Sequence, residues 1–89
     1  MKRNETIQRN MEHELKQILK KVASNHGLSG FKQMDNNELE QLLRENIADF
    51  ELKKEPLGER TVSWKEGGKI AGVTLSIDLS DGDILKDTF

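Results

Sequence analysis

The chain has no cysteine and no tyrosine, one proline (Pro56), one tryptophan (Trp64), and aromatic side chains at only 4% of its 89 residues. Without cysteine there is neither a disulfide framework nor a thiolate to act as nucleophile or soft metal ligand. That disfavours the small bridge-stapled secreted scaffolds and fits a reducing cytoplasm best. Apolar runs last only a few residues and segment 1–11 is charged, so neither a membrane span nor a signal peptide is expected. Histidine is almost as scarce. His13 and His26 lie thirteen residues apart on one expected helix, about 20 Å at 1.5 Å per residue, too far to share a metal ion. His13 sits between Glu12 and Glu14 on the charged face, and His26 falls at the helix end.

What is present suffices for one domain. Leu, Ile, Val and Phe make up 23 of the 89 residues, above the roughly one-fifth below which chains tend to stay disordered. A domain of this size still has a thin stability margin. The net charge of −2 hides an uneven distribution: residues 1–26 carry +3, 27–52 carry −4, 53–77 carry +2 and 78–89 carry −3. Such blocks predict polarised faces rather than the general basic excess of a nucleic-acid binder.

Ile7, Met11, Leu15, Ile18, Leu19 and Val22 fall on one stripe of a 3.6-residue repeat, which predicts a helix over 1–26 ending before Gly27. A second helix over 35–50 is announced by Asp35-Asn36-Asn37-Glu38. There Asp35 and Glu38 can cap each other, and Met34 and Leu39 can close an apolar staple across the cap. Leu39, Leu42, Leu43, Ile47 and Phe50 form its apolar stripe, and Phe31 in the short connection is expected between the helices. Residues 50–55 could open a strand before Pro56-Leu57-Gly58 forces a turn. Gly67-Gly68 is a two-residue hairpin turn, pairing Glu66 with Lys69, Trp64 with Ala71, Val62 with Val73 and Arg60 with Leu75. Ile77 and Leu79 continue the apolar face, and 80–89 is expected as turn and tail. The expected fold is therefore α+β: two amphipathic helices followed by an antiparallel β-hairpin over 60–79, with a possible third strand near 50–55.

Few residues suggest chemistry. Asp78, Asp81 and Asp83 gather at a turn but do not match the ligand positions of a calcium loop. No phosphate loop, nucleophile elbow or metalloprotease spacing occurs. The expectation is a protein that is not an enzyme and uses no cofactor or metal.

Leu19-Lys20-Lys21-Val22-Ala23-Ser24, Gly27-Leu28-Ser29-Gly30-Phe31-Lys32-Gln33-Met34 and Glu38-Leu39-Glu40-Gln41-Leu42-Leu43 together resemble the helix, extended loop, helix pattern of the SAP and Rho N-terminal families, over about a quarter of the chain. That resemblance implies nucleic-acid binding through lysines of the loop and of the second helix start. Here the second helix begins Asp35-Asn36-Asn37-Glu38, which leaves Lys32 with Lys20 and Lys21 of the first helix.

The leading expectation is a small interaction protein, a regulator or inhibitor of the kind phages and mobile elements encode as antitoxins, anti-defence proteins or host-takeover factors. It would bind another protein through the acidic face of the second helix, Glu38, Glu40, Glu45 and Asp49, together with Asp78, Asp81 and Asp83. The alternative is nucleic-acid binding through Lys16, Lys20, Lys21 and Lys32, joined by Lys53, Lys54, Arg60 and Lys65. A third role is self-assembly, as a homodimer formed by edge pairing of the second hairpin strand or along the apolar stripe of the first helix.

Overall fold

Helix α1 spans Lys2–Asn25. Its stripe of Met11, Leu15, Ile18, Leu19 and Val22, with Ala23, is buried almost completely. The helix closes where the Gly27 amide donates to Ser24 O (3.1 Å) and the Leu28 amide to Ala23 O (3.0 Å), two bonds that satisfy carbonyls left over at the helix end. In the computed structural model, residues 2–78 and 80–89 are described, with side chains for 6–78 and 80–89. Leu79, expected to prolong the apolar face of the hairpin, lies outside the described residues.

Helix α2 spans Asn36–Asn46 and begins with the expected reciprocal cap. The Glu38 amide donates to Asp35 Oδ1 at 2.8 Å, and the Asp35 amide donates to Glu38 Oε1 at 3.0 Å. The helix stops earlier than expected. Ile47 already has extended backbone (φ −122°, ψ 129°) while its amide still reaches Leu43 O, and Asp49 follows at φ 55°. The Lys65 amide donates to Ala48 O (3.1 Å), so this irregular corner already belongs to the sheet edge.

Four strands follow: β1 Glu51–Lys54, β2 Arg60–Glu66, β3 Lys69–Ile77 and β4 Ile84–Thr88. They form one antiparallel sheet in chain order, β1-β2-β3-β4. The β2–β3 register is the one the Gly67-Gly68 turn demands, with Glu66 opposite Lys69 and Arg60 opposite Leu75. Both glycines have positive φ, 58° and 81°, as the turn requires. The possible strand near 50–55 exists as β1.

Residues 84–88, expected in the tail, form β4 along the far side of β3. This corrects the view of β3 as an exposed edge, because β2 holds one side of it and β4 the other. The α1 stripe is likewise no surface for a second copy, since Met11 to Val22 is already covered. Val62 and Leu75 are fully buried on the inner sheet face, flanked by half-buried Leu52, Trp64, Val73, Ile77 and Ile84. Helix α1 crosses this face at β3 and β4, and α2 packs on α1 through Leu39 and Leu43. Phe31 packs half-buried against the same core. No helix among the described residues is long and apolar enough to cross a membrane.

Candidate interaction surfaces

The acidic residues of α2 are engaged locally to different degrees. Glu38 belongs to the cap. Glu40 pairs with Arg44 at 2.8 Å one turn on, and Glu45 accepts from Gln41 at 3.0 Å. Asp49 lies beyond the helix, exposed, in the corner leading to β1. The exposed carboxylates are therefore those of Glu38, Glu45 and Asp49, and pairs of this kind on a helix surface contribute only about 0.3–0.5 kcal/mol each.

The second acidic group caps the β3–β4 connection. Asp78 Oδ1 accepts from the Ser80 hydroxyl (2.6 Å) and the Ser80 amide (2.9 Å), while Asp81 Oδ1 accepts from the Asp83 amide (3.0 Å). The hydroxyl bond first, then the amide bond, holds the Asp78 carboxyl below the ordinary aspartate value of 3.8. Asp81 and Asp83 remain exposed. This turn sits beside the start of α1, where a β-carbon on Gly82 would come within 3.3 Å of Ile7 Cδ1. No hydrogen bond or ion pair among the described residues joins it to the acids of α2.

The lysines are dispersed. Lys16 lines an open groove between α1 and the start of α2 together with Arg9, Glu12, His13 and Asp35, a mixed-charge wall. Lys21 lines a cleft of about 340 Å³ between α1 and the inner sheet face, beside His26, Trp64 and Lys86. Lys32 lines the connection between the helices, and Lys20 is half-buried on α1. His26 is tied to the fold: its Nδ1 lies 2.9 Å from Val22 O and its ring meets Trp64 edge-on at 6.2 Å.

Two features were not anticipated from the sequence. The first is a polar node beneath α1. Glu12 Oε1 accepts from Arg60 Nη2 (3.2 Å) and Glu12 Oε2 from Asn36 Nδ2 (3.0 Å), and Asn36 Nδ2 also reaches the Glu12 main-chain oxygen (3.0 Å). This ties α1, α2 and β2 together and turns Arg60 inward, away from any basic surface.

The second is the outer sheet face, which no helix among the described residues covers. Thr61, Ser63, Thr74 and Ser76 line its centre, with the Thr61 and Thr74 hydroxyls 3.5 Å apart. Its β3–β4 half instead exposes Ile70 (59%), Leu85 (48%) and Phe89 (54%). The Phe89 ring lies over Gly72, where a β-carbon would meet Phe89 Cζ at 2.6 Å and come closer still to the Val62 carbonyl oxygen. Gly72 therefore makes room for the ring, much as an aromatic covers a glycine in other sheets. The alternation Ile70-Ala71-Gly72-Val73 held the outward position of Ile70, but Leu85 and Phe89 become a surface only once β4 is recognised.

No family model, no curated protein and no solved structure matches this chain.

Proposed function

We propose that this chain is a small non-enzymatic interaction protein of the cytoplasm. It serves as a regulator or inhibitor that binds another protein, of the accessory type that phages and mobile elements carry. One observation carries the reading: the β3–β4 half of the uncovered sheet face, where Ile70, Leu85 and Phe89 stand about half exposed beside the free margin of the sheet. Single exposed apolar residues are ordinary; here three large ones are spaced along one face of two adjoining strands, with Leu85 opposite Ser76 and Phe89 opposite Gly72, and that row is what supports a surface for a partner. Asp83 and Asp87 alternate with Leu85 and Phe89 along this face, so the complementary surface is basic.

Nucleic-acid binding has less support. Lys16, Lys21 and Lys32 line three different grooves rather than one strip, and Arg60 is held by Glu12. Size-exclusion chromatography with light scattering, on the protein alone and after mixing with native lysate or nucleic acid, separates the two. A protein co-eluting in fixed ratio is expected. Nucleic acid that co-elutes and is released by salt would replace the reading with the alternative. A well-folded sample that retains no protein partner would end it.

A further inference from the structure

Two strands of the sheet leave a row of backbone groups without a neighbouring strand, β1 and β4. In the β3–β4 ladder, Gly72 and Phe89 exchange both backbone bonds at 2.9 Å, and the Asp78 amide continues the same register to Asp83 O at 2.8 Å. Antiparallel bonding alternates every residue, so Asp83, Leu85, Asp87 and Phe89 turn their backbone groups toward β3. Ile84, Lys86 and Thr88 turn theirs outward.

The two margins are unlike. Strand β1 is four residues long and exposes Glu51, Lys53 and Lys54, the short charged kind that resists pairing. Strand β4 presents Asp83, Leu85, Asp87 and Phe89 in turn on the outer face, acidic and apolar in alternation. On its inner face Lys86 is held at 2.8 Å by Glu14.

Register decides what can pair there. A second copy joining symmetrically through this margin would pair β4 with β4 about a two-fold axis, with outward-turned residues facing outward-turned residues. For an overlap of three or more strand residues the axis falls at Leu85, Lys86 or Asp87. An axis at Lys86 sets Lys86 against Lys86, one at Asp87 sets Asp87 against Asp87, and one at Leu85 sets Asp83 against Asp87. Every symmetric register therefore places like charges directly opposite, which is unfavourable in a sheet. A foreign strand with a base at those positions meets the opposite sign.

Resting on the interaction reading above, we propose that β4 is the binding margin. It takes as a fifth strand a basic extended segment of the partner protein, with Lys or Arg opposite Asp83 and Asp87 and large apolar side chains opposite Leu85 and Phe89. Main-chain bonds to Ile84, Lys86 and Thr88 supply attachment, and the alternating side chains supply selectivity.

The test titrates the ¹⁵N-labelled 89-residue chain with a capped nine-residue peptide in which threonine alternates with, in turn, valine and lysine. A second peptide carries glutamate in place of lysine. The lysine peptide should shift the amides of Ile84, Lys86 and Thr88 saturably, and the glutamate peptide should bind at least about tenfold more weakly. Thr88→Pro removes an outward N–H without touching a bond to β3, so it should abolish binding while the hairpin amides stay dispersed. Leu85→Lys, which alters only an exposed side chain, should weaken the lysine peptide about tenfold. The proposal is overturned if the shifts fall elsewhere, if both peptides bind alike, if Thr88→Pro or Leu85→Lys binds as the parent does, or if the protein self-associates in a manner that Thr88→Pro abolishes. A lysate partner that co-elutes equally with Thr88→Pro would sink this margin and leave the interaction reading standing. Absence of any lysate partner strikes that reading instead.

Discussion

Replacing Glu12 with alanine should reveal how much the fold depends on the polar node beneath α1. The Arg60 side chain is 12% exposed and Glu12 38%, so their bond is sheltered on one side and wet on the other. A hydrogen bond to a charged group contributes about 1.5–3 kcal/mol, and the exposure of Glu12 places this one near the lower bound. Asn36 loses one acceptor but keeps the main-chain oxygen of residue 12, a further ~0.5 kcal/mol. The expected loss is about 2 kcal/mol, which for a domain of this size lowers the melting temperature by roughly 8–16 °C. Arg60→Met should be destabilising through the same contact, so the double variant should cost about 1 kcal/mol less than the two single losses together. Urea unfolding followed by the fluorescence of Trp64 measures all four proteins. Strict additivity, or a Glu12→Ala variant within about 0.5 kcal/mol of the parent, would show that the node does not couple the helices to the sheet.

Gly72→Ala should lose about 1–3 kcal/mol, because its β-carbon would displace the Phe89 ring and press on the Val62 carbonyl; a thermal melt equal to the parent's would contradict that packing. Ser80→Ala should raise the Asp78 carboxyl back toward 3.8, as read from its side-chain carbon shift against pH. Because the folded value is depressed, the stabilisation from Asp78 is present above 3.8 and fades as pH falls through the lower folded value; Ser80→Ala should reduce that acid-dependent component and leave the part held by the residue-80 amide, and an unmoved titration would refute the assignment. Hydrogen exchange should protect the amides of Leu85, Asp87 and Phe89 and leave those of Ile84, Lys86 and Thr88 fast, and uniform rates along β4 would contradict its ladder.

The hairpin could be read from the chain down to its residue pairs because turn chemistry and alternation are local and agreed. Two glycines set the loop, and only one register puts Val62 and Trp64 beside Val73 and Ala71. The cap of α2 was legible for the same reason, since Asp35 and Glu38 are three residues apart. The end of α2 was not. The apolar spacing of Ile47 and Phe50 fits a helix and also fits a chain turning into a strand, and the decision rests with the Ala48 carbonyl, which is taken by Lys65 of the adjoining strand β2. Strand β4 escaped notice because only Ile84 points to the core while Leu85 and Phe89 point to solvent. Its apolar residues therefore do not alternate with polar ones as a half-buried strand should. The node of Glu12, Asn36 and Arg60 lay beyond local reading altogether, its partners being 24 and 48 residues apart. Of the anticipated partner surface, Asp83 shares the face of the apolar patch, whereas the acids of α2 lie on a separate element.

A sheet whose strands lie side by side in the order of the chain has consequences for the time course of folding. Each ladder joins neighbours through a connection of a few residues, so strand pairing can propagate outward from the Gly67-Gly68 hairpin on the microsecond scale of hairpin closure. Helix α1 is different. Its sheet contacts lie on β3 and β4, and the Glu12 to Arg60 bond alone closes a span of 48 residues. Docking of α1 onto the sheet is then the step expected to be slow, because that event meets the main loop-closure entropy. Until it happens, Val62, Val73 and Leu75 face water on one side while Ile70, Leu85 and Phe89 face it on the other, so the nascent sheet exposes apolar side chains on both surfaces.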